Sequence, residues 1–180
     1  MKQSIKDRDI IAGCKADNPK SQRQLYDKYC RLVMGTALRY CSNATDAEDI
    51  VQEVFVKVFM KIRELKDDKA LASWIQSITT RSCIDFLRGN NKNLMTVPYE
   101  DMKTEITDSS CNYYEDIPVE QLLKFVQELP DGCRTVFNLS AIDGYKAQEI
   151  ADMLGCAAST VRAQYSKARK QLIEKINQYE

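Results

Sequence analysis

No histidine occurs anywhere in the 180 residues. That removes the commonest general base, together with the Ser-His and Cys-His nucleophile pairs. Long apolar runs are missing as well. Nothing approaches the roughly 20 apolar residues of a membrane span, and the N-terminal MKQSIKDRDI has no signal-peptide core, so a cytoplasmic location is expected. Seven cysteines are present, at positions 14, 30, 41, 83, 111, 133 and 156, and none form C-x-x-C. Their odd number and spacing argue against a zinc site or a disulfide framework. They read as small buried hydrophobes, with Cys111, in a polar stretch, as the exception. No catalytic residue, metal, cofactor or small-molecule substrate is expected.

Net charge is also missing, 26 basic residues balancing 26 acidic ones, but the balance is a sum of unlike parts. Residues 1–92 carry 17 basic against 12 acidic side chains, residues 93–117 carry 1 against 6, and residues 118–180 carry 8 against 8. Within the last part, residues 157–175 hold Arg162, Lys167, Arg169, Lys170 and Lys175 against Glu174 alone. A basic front, an acidic middle and a basic C-terminal helix point to an anionic partner.

The most informative stretch is Lys146 to Leu172. Ala147, Ile150, Ala151 and Leu154 recur at helical spacing, Gly155 supplies a left-handed stop, and Val161, Tyr165, Ala168, Leu172 and Ile176 form a second stripe. Ser159, Arg162, Ala163, Ser166, Arg169 and Lys170 then point elsewhere. This predicts a helix-turn-helix whose second helix has the shape and charge to enter a major groove. Ala157 and Ala158 leave its start open, with Ser159 as a candidate cap.

Upstream, residues 5–15 predict a short helix, and Asn18-Pro19 opens a longer one to about Tyr40 with Leu25, Tyr29, Leu32, Val33, Thr36 and Tyr40 on one face. Thr45-Asp46-Ala47-Glu48 fits a capping box. The helix it starts carries Ala47, Ile50, Val51, Val54, Phe55, Val58, Phe59 and Ile62 on its apolar face, and Asp46, Asp49, Gln52 and Glu53 opposite, turning basic at Lys57 and Lys61. The helix dipole accounts for Asp46 and Glu48 but poorly for Glu53, two turns in. ELKDDK, residues 64–69, reads as a charged loop. The helix from about Ala70 to Gly89 buries Leu71, Trp74, Ile75, Ile78 and Ser82, while Arg81, Asp85, Arg88 and Lys92 share a face, either as surface ion pairs or as a phosphate-contacting edge. Residues 93–117 read as a flexible acidic linker. Beyond it, Val119, Leu122, Leu123, Val126 and Leu129 give one helical stripe, and Cys133, Val136, Phe137 and Ser140 another, closed by Asp143-Gly144.

Two of these blocks, in fixed order, resemble a known family. Residues 46–92 resemble region 2, and residues 122–173 region 4, of bacterial sigma factors of the sigma-70 family. The length and short linker resemble the extracytoplasmic function subgroup. The resemblance implies an all-α chain of two small helical domains, 1–92 and 118–180, joined by the acidic linker. It implies a non-enzymatic subunit that binds core RNA polymerase and promoter DNA, with an anti-sigma factor as a further partner. Carried over residue by residue, Asp46, Asp49, Gln52 and Glu53 match the polymerase-docking surface, which supplies a cause for Glu53. Glu64, Leu65, Lys66, Asp67 and Lys69 match the loop that captures an unstacked −10 base, and Trp74, Arg81, Asp85, Arg88 and Lys92 the adjoining −10 helix. Ser159, Thr160, Arg162, Ala163, Ser166, Lys167, Arg169 and Lys170 match the −35 recognition helix. Tyr165 and Gln164 depart from the aliphatic and basic residues usual there.

Two other functions fit parts of the pattern. A free-standing helix-turn-helix regulator predicts a two-fold dimer and needs no docking face. A nucleic-acid enzyme needs a carboxylate metal site, and Asp46, Asp49 and Glu53 on one helical face would offer ligands from one side only.

Overall fold

A computed structural model describes residues 5–90 and 117–179, and every regular element among them is helical. The chain divides into two compact units, Met1–Phe86 and Leu87–Glu180. The expected linker, Lys92 and Cys111 lie outside the described residues, apart from Ile117 at the linker's end.

The first unit is built on α1 (Ile5–Lys15), α2 (Pro19–Tyr40), α3 (Ala44–Lys61) and most of α4 (Leu71–Asn90). Asn18 opens α2 as predicted: its Oδ1 accepts the backbone N–H of Lys20 at 2.9 Å and of Ser21 at 3.2 Å, with Pro19 at the first helical position. The start of α3 differs from the expected Thr45 box. Asn43, extended at φ −142° and ψ 162°, is the cap; its Oδ1 accepts the Asp46 N–H at 2.8 Å, and its Nδ2 donates to Asp46 Oδ2 at 2.9 Å. Thr45 falls inside the first turn, because an asparagine two residues earlier already satisfies the free amide.

Leu25, Val33, Ala37 and Tyr40 of α2 meet Ile50, Val54 and Val58 of α3 in a fully buried core, closed by Ile11 and Cys14 of α1 and Leu71 and Ile75 of α4. Each large aliphatic side chain so buried contributes about 1.5–3 kcal/mol relative to exposure. Leu32, expected on this face, is 42% exposed; one position before Val33 it is rotated by about 100° and out of the core. From α4, Gln76 Nε2 donates to Thr36 Oγ1 of α2 at 3.1 Å and Ser82 Oγ accepts from Lys57 Nζ of α3 at 2.9 Å.

The second unit comprises α5 (Val119–Gln127), α6 (Asp131–Phe137), α7 (Ala147–Leu154) and α8 (Ala158–Asn177). Phe125 and Leu129 pack with Cys133, Ala168 and Leu172 into one cluster. Phe125, absent from the expected α5 stripe, is its buried residue, whereas Val119 is 76% and Leu122 38% exposed. A nine-residue helix has two and a half turns, so only its C-terminal end reaches the core. After Phe137 the helix widens into one π turn, Asn138–Ile142, with the Asp143 N–H donating to the Asn138 carbonyl at 2.9 Å; Gly144, at φ 78°, then reverses the chain.

Buried polar groups hold this unit together. Arg134 is 2% exposed, its Nη1 donating to the Gln127 carbonyl at 2.7 Å and the Leu129 carbonyl at 2.8 Å, while Nη2 pairs with Asp131. The guanidinium thereby ties the end of α5 and the residues after it to the start of α6.

Candidate nucleic-acid interface

Three surfaces carry the residues singled out in the sequence. On α3, Asp49, Gln52 and Glu53 are exposed on the side opposite the core, and Asp46 beside them is half-buried. Two of these acids have local partners: Asp46 is bonded to Asn43, and Glu53 Oε1 lies 2.6 Å from Lys57 Nζ at i, i+4. Glu53 therefore also has a local cause that the dipole argument lacked. Asp49 and Gln52 sit between them on the same stripe.

The second surface follows α3. Residues 62–70 form two 3₁₀ turns, Ile62–Glu64 and Asp68–Ala70, where the sequence predicts an open charged loop. Leu65 is 5% exposed and anchors the segment. Its side chain is thus turned inward. Asp67 Oδ1 accepts the Lys69 N–H at 2.9 Å and caps the second turn. Lys15 of α1 donates its Nζ to the Leu65 carbonyl at 3.0 Å, and Arg63 reaches back to the Lys15 carbonyl at 3.2 Å and to Asp17 at 2.5 Å. Glu64, Lys66, Asp67 and Lys69 are exposed on this fixed frame, Trp74 is half-buried, and Arg81, Asp85 and Arg88 are exposed along α4.

The third surface is the helix-turn-helix. α7 ends at Leu154, Gly155 takes the left-handed conformation at φ 67° and ψ 39°, and the Cys156 N–H returns to the Ala151 carbonyl at 3.1 Å. Burial raises the Cys156 thiol above its ordinary range. Ala157 is the cap of α8 and has no side-chain bond, so the helix starts at Ala158 and Ser159 lies in its first turn. The alternative of Ser159 as the cap is thereby corrected: Ala157, at φ −78° and ψ 146°, already holds the extended cap conformation. Ser159, Arg162, Ala163, Ser166 and Lys170 recur along one side of α8, with Thr160 and Lys167 on one flank and Arg169 on the other; none of the eight is buried.

Behind that face the helix is seated by Tyr165, within the expected apolar stripe, and Gln164, outside it. Gln164 is 6% exposed and accepts a hydrogen bond from Cys133 Sγ at 2.8 Å. Tyr165, half-buried, stacks on Phe137 with ring centroids 6.3 Å apart. Gln164 was detectable from its spacing, three residues after Val161 and four before Ala168, although its chemistry is polar.

Family comparison bears directly on these surfaces. The sigma-70 region 2 family matches residues 25–93, and the sigma-70 region 4 family residues 119–172. The chain belongs to the sigma-70 family. Relatives place it in the extracytoplasmic function (ECF) group of that family. It is 24% identical over 186 residues to the ECF RNA polymerase sigma-E factor of Haemophilus influenzae, covering 98% of both chains. It is 24% identical to the RNA polymerase sigma-H factor of Pseudomonas aeruginosa, covering 91% of this chain and 90% of the relative. Among solved structures, CnrH in complex with the cytosolic domain of CnrY shares the fold at a TM-score of 0.53 and 21% identity, covering 97% of this chain and 99% of that one. The sigma factor RpoE in complex with the anti-sigma factor NepR from Bartonella quintana does so at 0.53 and 20%, covering 88% and 98%. The region 2 match takes in most of α2, with α3, the 62–70 turns and α4, and the region 4 match takes in α5 to α7 and α8 as far as Leu172.

Proposed function

We propose that this ECF-group chain binds core RNA polymerase through α3 and directs it to promoters read at two places. Asp49, Gln52 and Glu53 form the docking stripe, with Asp46 fixing its start. The exposed charges of residues 64–69, with Trp74, Arg81, Asp85 and Arg88, serve the −10 element, and Lys92 extends that edge by family resemblance. α8 reads the −35 element. The single observation that best supports this division is that one chain presents an acidic helical stripe and a basic recognition helix on separate compact units. A free-standing regulator has no use for the first.

Within α8, Ala163 and Ser166 are small and allow close approach of the backbone to the groove floor. Arg162, exposed beside them on the same side, is placed to reach a base edge, best as a bidentate donor to guanine. Lys167, Arg169 and Lys170 serve phosphates, which position without specifying. The chain acts as a specificity subunit without chemistry of its own. Among the described residues, no helix is long and apolar enough to cross a membrane, and we place its action in the cytoplasm, beside polymerase and DNA. Relatives of the fold are held by anti-sigma factors, and we extend such a partner to this chain.

Binding selections over randomised −35 sequences test the assignment of α8. Arg169→Ala is expected to weaken binding to all sequences alike, and Arg162→Ala to relax preference at one position by about 1–3 kcal/mol. Identical preference profiles from the two variants would refute it.

A further inference from the structure

One cation on α3 belongs to neither of the surfaces it separates. Lys57 Nζ lies 2.6 Å from Glu53 Oε1, a residue of the docking stripe, and 2.9 Å from Ser82 Oγ, the residue after Arg81 on α4. Ser82 is fully buried, so it holds the ammonium against α4, and one third of the Lys57 side chain remains exposed. An ammonium has three donors and these contacts use two. The carboxylate that neutralises it is itself 47% exposed. With its carboxylate side open to solvent, an i, i+4 pair of this kind stabilises a helix only slightly, so Glu53 can exchange its partner at little cost.

We propose that Lys57 is a phosphate-binding residue held in reserve by Glu53. In the free chain the Glu53 carboxylate cancels its charge. A partner cation that engages Glu53 shares that carboxylate, and the Lys57 charge then adds to the α4 edge for a nucleic-acid backbone. Docking and strand binding thus draw on one carboxylate, and each favours the other. The inference rests on Glu53 as a docking residue, but its first half, masking of Lys57, does not.

The test uses the free full-length chain and a labelled oligothymidylate, whose phosphates carry no sequence information, titrated at several salt concentrations. Glu53→Gln, which keeps shape and removes charge, is expected to tighten binding roughly threefold and to steepen the log–log salt dependence by about 0.7, one phosphate contact on a single strand. Lys57→Met is expected to abolish that gain, so that the double variant equals Lys57→Met alone, while Lys57→Arg retains it. The proposal is overturned if Glu53→Gln changes nothing, or if it gains as much in the Lys57→Met background, where only long-range charge remains. Core-polymerase affinity of Glu53→Gln, measured separately, reads the docking role. An unchanged affinity there removes docking and with it the coupling, while the oligothymidylate result still decides whether Glu53 masks Lys57.

Discussion

The two units finish their helices in different ways. In the first, α2 and α3 are 22 and 18 residues long, and Asn18 and Asn43 cap them from the residue immediately before. Their core joins aliphatic side chains with Tyr29, Tyr40 and Phe55 and with the small buried hydroxyls of Thr36, Thr79, Thr80 and Ser82. In the second, α5 and α6 are 9 and 7 residues long and follow Pro118 and Pro130, and α8 follows Ala157, none of which makes a side-chain cap bond. The second unit compensates from within through buried Arg134, whose guanidinium donates to the Gln127 and Leu129 carbonyls. Short helices leave a larger share of their backbone groups unpaired, and a polar core is one way to satisfy them. The first unit buries one face of α3 and leaves Asp49, Gln52 and Glu53 exposed on the other. The second ties the back of its recognition helix to its own core through Gln164 and Tyr165.

The sharpest way to break this contrast is at Arg134. Arg134→Met removes the donor that the Gln127 and Leu129 carbonyls and the Asp131 carboxylate share, and is expected to cost the second unit about 1–3 kcal/mol. Hydrogen exchange should report lost protection across α5 and α6 with α2 and α3 unchanged; uniform loss in both units would show that they do not fold separately. A smaller effect is expected at Asn43. Asn43→Ala removes the cap of α3 and should cost about 1 kcal/mol in thermal unfolding. Because Asp46 and Asp49 ride on the first turns, the same variant should weaken binding to core polymerase without altering the −35 preference. The smallest effect sharpens the comparison by carrying the first unit's device into the second. Ala157→Ser adds an acceptor at a residue already in the cap conformation, and should raise the unit's stability by about 0.5–1 kcal/mol, read as a higher Tm with −35 binding retained. A lower Tm would mean that the turn has no room for the hydroxyl.

Much of the architecture was legible because long amphipathic helices repeat their signal. Ile50, Val54 and Val58 recur often enough to fix the buried face of α3, and with it the exposure of Asp49, Gln52 and Glu53 opposite. Short elements gave weaker signals. Val119 and Leu122 share a stripe with Leu129, yet are exposed, since periodicity locates a face and not how far along it the neighbouring helices reach. The Thr45 capping box was a reasonable pattern overtaken by an asparagine two positions earlier. Buried Arg134 and Gln164 were not readable from residue type, because their burial depends on partners 3 to 31 residues away. Leu65 shows the same limit in reverse: an apolar residue within ELKDDK reads as part of a loop, while in the fold it is the anchor that holds the loop's charges in place.

The division of labour between the units is tested most directly by run-off transcription with purified core polymerase and a genomic library. The chain is expected to produce discrete start sites that share two separated sequence elements. Replacing Asp49, Gln52 and Glu53 with alanine should abolish the transcripts while leaving the isolated chain's affinity for the −35 element intact. Start sites unchanged by that triple replacement, or no chain-dependent start sites at all, would contradict the account.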